Sequence, residues 1–287
     1  MVQVMGRSIT VTLWRHSRGR DAVELSIFQI DAFADRVFGG NPAAICPLDS
    51  WVPDDVMQAI AAENNLAETA FFVAADSKDT DGACYDLRWF TPTLEVELCG
   101  HATLASAFLI FERFAPDAEI LRFRTRSGEL TVTRQEGQLF LDFPSYPGPV
   151  VDCPDALISG LGKMPHEVIE GPNYMAVFGS EADIAALEPD MEMLATLHPR
   201  GVIATAPGDA VDFVSRYFGP SFGVPEDPVT GSAHCMLTPY WATRLGKTRM
   251  DARQISTRGG ALVCEDRGDR VGIGGQAVLY LEGKITV

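Results

Sequence analysis

Long apolar runs are missing from this chain: none approaches the roughly 18 residues that a membrane span needs. Paired cysteines are missing too. The six present, Cys46, Cys84, Cys99, Cys153, Cys235 and Cys264, include no C-x-x-C pair. That pattern argues against a disulfide framework or a zinc site, and for a reduced, cytoplasmic protein. The five histidines, His16, His101, His166, His198 and His234, fall in no H-E-x-x-H or other metal-binding spacing, so no metal is expected. A dinucleotide fingerprint is also lacking: Gly272-Ile273-Gly274-Gly275 is not G-x-G-x-x-G and leads into strands. No nucleotide cofactor is expected either. Basic residues are few. There are 23 Lys and Arg against 39 Asp and Glu, a net charge of −16. A surface of that sign repels phosphate backbones and argues against a nucleic-acid partner.

What is present is a globular composition, 46% apolar and 22% charged over 287 residues. That length suits two domains better than one. Residues 1–20 carry Arg7, Arg15, Arg18 and Arg20 and no acid. They lack the apolar run and cleavage site of a secretory signal. Ser8 to Trp14 alternates like a strand, so residues 1–23 are read as an N-terminal extension.

Apolar periodicity then places strands at 24–33, 67–75, 85–90, 120–125, 129–135 and 138–143, with a helix over 54–64 opened by Pro53. Residues 102–114, ATLASAFLIFERF, are apolar on nearly every side until Glu112, which predicts a helix buried all round. Pro144 to Pro154 holds four prolines and a glycine and marks a domain boundary. Beyond it, a strand is expected near 174–178, a helix near 181–187, strands at 201–206 and 212–218, and a glycine-led helix over 231–244.

The chain repeats itself. Arg88-Trp89-Phe90-Thr91-Pro92 is matched by Arg216-Tyr217-Phe218-Gly219-Pro220 at an offset of 128. Cys99-Gly100-His101-Ala102 is matched by Thr230-Gly231-Ser232-Ala233 at an offset of 131. Position, order and element type agree, which implies an α+β fold of two pseudo-equivalent domains. Each would be a curled mixed sheet, a roll or barrel, around a central helix. The first takes residues 24–143 and the C-terminal strand 277–287, and the second takes 150–276.

Three stretches can carry chemistry. Two helices that open at Gly100 and Gly231 present free N–H groups and a positive dipole end, a receptor for a carboxylate. The alternative is that these glycines only let the helices pack closely. Glu68 lies among Ala67, Ala70, Phe71 and Phe72. Desolvation there should raise its pKa and suit it to proton transfer, unless it is a strand-edge residue facing water. Asp227, Thr230 and Ser232 line the approach to the second helix, where an ordinary N-terminal cap is the plainer reading.

Together Gly40-Asn41-Pro42-Ala43, Glu68-Thr69-Ala70-Phe71, Cys99-Gly100-His101-Ala102-Thr103 and Glu226-Asp227-Pro228-Val229-Thr230-Gly231-Ser232-Ala233-His234 resemble the PhzF-like phenazine-biosynthesis protein family, which has the diaminopimelate epimerase-like fold. The resemblance runs from about residue 25 to the end. It implies an active site in the cleft between two domains, with Glu68 as the proton-transferring residue and His101, Asp227 and Ser232 as site residues. It implies an isomerase that moves a proton within a small, cyclic or unsaturated carboxylic acid without cofactor or metal. Racemases of this fold use two thiols, one at each helix entrance; this chain has Cys99 at the first and Thr230 at the second. A hydroxyl is too weak a base to replace a thiolate, which disfavours the racemase or epimerase alternative. A non-catalytic binding protein on the same fold is the other alternative. Without a partner in this scheme, Cys99 reads as a small packed residue. Asp227, if ionised, would raise the pKa of Glu68 further and a protonated His101 would oppose it, leaving open whether Glu68 starts as acid or base. A homodimer is a plausible assembly.

Overall fold

The computed structural model describes residues 14–15, 21–75 and 83–287. Of the expected N-terminal strand, residues 8–13 lie outside the described residues. Trp14–Arg15 (β1) pairs antiparallel with Asp21–Ala22 (β2). The chain forms two compact units.

The first unit comprises Met1–Ala32, Pro42–Leu139 and Ala277–Val287. Its elements are Glu24–Ala32 (β3), Asn41–Leu48 (β4), Asp54–Asn64 (α1), Glu68–Ala74 (β5), Ala83–Phe90 (β6), Glu95–Val96 (β7), Gly100–Arg113 (α2), Ile120–Thr125 (β8) and Gly128–Gln135 (β9). β4 runs parallel to β5 across the α1 connection, and β5 is antiparallel to β6. β6 then pairs antiparallel with β7 and parallel with β8 across the α2 connection, and β8 is antiparallel to β9. α2 is buried from His101 through Phe111 except at Phe108, as its all-round apolar sequence predicts. A second cluster gathers Leu25, Met57, Phe71 and Phe90 beneath α1, with Phe71 and Phe90 edge to face at 5.6 Å.

Gln138–Pro144 (β10) carries the chain into the second unit, Phe33–Asn41 with Phe140–Gln276. Here follow Val150–Val151 (β11), Asp155–Leu161 (α3), Glu167–Glu170 (β12), Tyr174–Val177 (β13), Glu181–Ala185 (α4), Met191–Ala195 (α5), Val202–Pro207 (β14), Phe213–Gly219 (β15), Val224–Asp227 (β16), His234–Leu245 (α6), Arg249–Gln254 (β17), Gly260–Asp266 (β18) and Arg270–Gly275 (β19). The last strand, Ala277–Thr286 (β20), belongs to the first unit and pairs with β3. The pairing order of the first unit returns. β13 is parallel to β14, β14 antiparallel to β15, and β15 antiparallel to β16 and parallel to β17 across α6. β17 is antiparallel to β18. The repeat read from two short motifs is thus a repeat of whole-unit topology. Among the described residues no helix is long and apolar enough to cross a membrane.

Three differences from the sequence reading have physical causes. The chain passes between units at Leu139/Phe140 rather than in the proline-rich stretch, because Phe140 packs on Gly274 and under Arg249. Residues 33–41 join the second unit, where Phe33 is fully buried against Gly275 and Arg258 donates to the carbonyls of Gly39 and Gly40. The helix expected over 231–244 starts as a 3-10 turn, Gly231–Ala233, and becomes α-helical only at His234. The Thr230 carbonyl that would take the first α-helical bond accepts from the His234 ring Nδ1 at 2.9 Å instead. Pro239 inside α6 removes an N–H, and the freed Cys235 carbonyl accepts from Tyr146 N at 2.9 Å.

Candidate active site

In the first unit α1 ends at Asn64, and Asn65 takes a left-handed conformation that turns the chain toward β5. Asn64 Nδ2 donates to Thr69 Oγ1 at 3.0 Å and fixes that turn. Glu68 is therefore delivered as the first residue of β5, mostly buried. α2 begins where the extended residue Cys99 gives way to Gly100, which makes His101 the second helical residue. The two elements bring Glu68 and His101 together, with His101 Nε2 at 3.1 Å from Glu68 Oε2. Cys99 joins them, its Sγ at 3.5 Å from His101 Nδ1. The three donor atoms lie within 4.8 Å of one another.

Burial pushes the Glu68 carboxyl up, but the charge and hydrogen bond of His101 and the Cys99 thiol outweigh it. Glu68 is held below the usual carboxylate range. This overturns the rise expected from its apolar neighbours, because the dominating neighbours come from α2, not from β5. Burial opposes charge on His101 as well, yet Cys99 and Glu68 together raise its pKa well above the ordinary imidazole value. The Cys99 thiol is pushed up to about 11 by burial and by the Glu68 charge. These directions favour negative charge on Glu68 and positive charge on His101, and keep the proton on Cys99. Metal ligation at the trio would have to displace a proton from both Cys99 and His101.

In the second unit Asp227 closes β16. Its Oδ1 accepts from Asn41 Nδ2 at 2.8 Å and its Oδ2 from Thr230 Oγ1 at 2.5 Å. The fully buried Gln254 donates through Nε2 to the Asp227 carbonyl at 2.7 Å, and its Oε1 accepts from Thr230 N at 2.8 Å. Gly231 is buried and Ser232 exposed in the turn that follows. Asn41 and Gln254 are not among the site residues that the sequence suggests. Asn41 had a trace in the Gly40-Asn41-Pro42-Ala43 motif, and Gln254 had no local signal at all.

The duplication reaches the side chains. Arg88 binds both oxygens of Glu95 at 2.7 and 2.8 Å, and Arg216 binds both of Glu226 at 2.7 and 3.0 Å. Each pair precedes its helix-opening glycine by the same spacing from the glutamate. One position differs decisively. Thr69 pairs with Phe90 as Val202 pairs with Phe218, so the counterpart of Glu68 is Gly201. A Cβ at Gly201 would lie 2.3 Å from the Tyr217 hydroxyl. The second unit has a phenol where the first has a carboxylate.

The family model described as "Phenazine biosynthesis-like protein" matches residues 30–283. The chain belongs to that family. An uncharacterized isomerase of Pseudomonas aeruginosa is 52% identical over 263 residues, covering 92% of this chain and 99% of that one. The crystal structure of a PhzF-family protein from Enterococcus faecalis superposes with a TM-score of 0.88 at 44% identity, covering 92% of this chain and all of that one. A hydroxyproline epimerase from Agrobacterium vitis, 9% identical, superposes at 0.54 over 92% of this chain and 93% of its own, a likeness of fold alone. The enzyme class of this PhzF-like chain is isomerase.

Proposed function

We propose that this chain is a cofactor-independent isomerase that moves a proton within a small, cyclic or unsaturated carboxylic acid, with Glu68 starting the cycle as base. The observation that carries this reading is the Glu68–His101 contact at 3.1 Å between a carboxylate oxygen and a ring nitrogen. A base must begin unprotonated, and an imidazolium beside it favours that state. Glu68 takes a proton from one carbon of the substrate while the electron pair of that C–H bond enters the conjugated system. It returns the proton to another carbon of that system and is again a carboxylate. Substrate and product share one oxidation state, so the step as written needs no hydride carrier.

Asp227 and Ser232 are assigned to substrate binding, with the main-chain N–H groups of Gly100 and Gly231 as donors for a carboxylate. Asp227 is held at both oxygens by Asn41 and Thr230, which fixes its direction. The two-thiol epimerase reading gains nothing here, since the Thr230 hydroxyl is spent on Asp227.

The test is Glu68→Gln, assayed by NMR for double-bond migration across a panel of small unsaturated acids. A loss of at least about 10²-fold is expected, the low end for removing a general acid or base, with binding retained. Turnover of a genuine substrate at near wild-type rate would remove Glu68 from this role, and Asp227 would be the next candidate.

A further inference from the structure

A cavity of about 710 Å³ lies wholly within the second unit, lined from β11, β12 and the C-terminal half of α6. That size is typical of a small-molecule site. Neither Asp227 nor Ser232 lines it, and no part of its lining comes from the first unit. The lining includes the buried side chains of Val168, Phe178 and Trp241. It also includes Val150, Met164 and Leu245, large apolar side chains that stay 62, 59 and 38% exposed. Exposed apolar groups that converge on one cavity mark a place where an apolar body is received.

The charged lining says what else the occupant carries. Val151 of β11 faces Val168 of β12. The next residues, Asp152 on one side and Glu167 on the other, both line the cavity. Carboxylates brought together across a strand pair repel one another. Glu167 Oε2 accepts from the Tyr240 hydroxyl at 2.8 Å and from Arg244 Nη2. Arg244 is the only Lys or Arg of the lining, and Asp152 has no hydrogen bond or ion pair among the described residues. With His166, also in the lining, neutral, two carboxylates face one guanidinium and one negative charge is left over. We infer that this cavity binds a small monocation with an apolar body, an alkyl or arylalkyl primary ammonium. An ammonium has three N–H donors and no acceptor, which suits Asp152 and the second oxygen of Glu167. The apolar body fills the recess beside Trp241. The chain's net charge of −16 draws cations toward its surface.

The test is an NMR titration of the full chain with 2-phenylethylammonium, followed at the Trp241 indole N–H and the Met164 methyl. The alcohol 2-phenylethanol and the anion 3-phenylpropanoate are its neutral and negative counterparts of similar shape. Saturable shifts at both positions are expected with the ammonium. The alcohol should bind at least about 10-fold more weakly, the low end for losing a hydrogen bond to a charged group, and the carboxylate more weakly still. Asp152 is exposed, so Asp152→Asn should fold normally. It should weaken the ammonium about 3-fold or more, as a partly exposed ion pair does, and leave the alcohol unchanged. Arg244→Gln removes the opposing charge and should tighten the ammonium. Absence of saturable shifts with any of the three probes overturns the inference, as do shifts that miss Trp241 and Met164. Equal binding of all three, or tightest binding of the carboxylate, overturns it as well. So does an ammonium affinity indifferent to both Asp152→Asn and Arg244→Gln.

Discussion

His234 shows how much a single buried ring can weigh. It is fully buried, its Nδ1–H donates to the Thr230 carbonyl, and its Nε2 has no partner among the described residues. Burial depresses its pKa to about 4. Between its ordinary value and about 4, the unfolded chain binds a proton that the folded chain refuses. Stability therefore falls as pH drops through that window, by about 3 kcal/mol in all. Thermal unfolding from pH 7 to 4 should show that slope, and His234→Asn, which keeps a donor near Nδ1, should flatten it. An equal slope in both proteins would place the acid sensitivity elsewhere. The Glu68–His101 pair has its own limits. The Glu68 contribution is present above the usual carboxylate pKa and lost as pH falls through its lowered value. The His101 contribution is full below the usual imidazole pKa and lost as pH rises through its raised value.

At the scale of elements, the two Arg–Glu pairs tie β6 to β7 and β15 to β16 just ahead of α2 and the 3-10 turn. Arg216 does more than Arg88: its Nη1 also donates to the carbonyls of Ile184 and Leu187, at 3.0 and 2.8 Å. Lysine keeps the charge but not the planar fork. Arg216→Lys should cost about 3 kcal/mol in urea unfolding, toward the range for breaking a buried pair. Arg88→Lys should cost less, because Asp54, its second acidic partner, is largely exposed. The reverse order would contradict this ranking. The arginines of these pairs were legible in the sequence as a repeat. Their glutamate partners were not matched, because three extra residues in the second copy hide the correspondence. The all-round burial of α2 was legible because its composition is apolar on every face. The bond from Asn41 to Asp227 spans 186 residues, and no local pattern encodes such a contact. The lowered pKa of Glu68 is hidden from the sequence for the same reason: its flanking residues are visible there, and the imidazole and thiol that together outweigh burial are not.

Neither unit is a continuous piece of chain. The second borrows Phe33–Asn41 from before the first unit's main segment. That loan brings a fully buried phenylalanine, a hydrogen bond from Gly40 N to Gly259 O at 2.7 Å, and the amide that holds Asp227. Loss of a buried phenylalanine alone costs about 3–5 kcal/mol, a large share of the roughly 5–15 kcal/mol that holds a typical protein folded. A fragment of residues 140–276 should therefore fail to melt cooperatively by circular dichroism. Joining 33–41 to it through a flexible linker should restore a transition. A cooperative melt of the bare fragment at the same temperature would refute the division. The two halves share a topology, but the place of Glu68 is taken in the second by Gly201 and the Tyr217 ring. On the reading proposed above, one mostly buried carboxylate takes and returns the proton suprafacially. In light water, deuterium placed on the donor carbon of a substrate would then reappear on the acceptor carbon of the same molecule, with one handedness and little dilution by solvent.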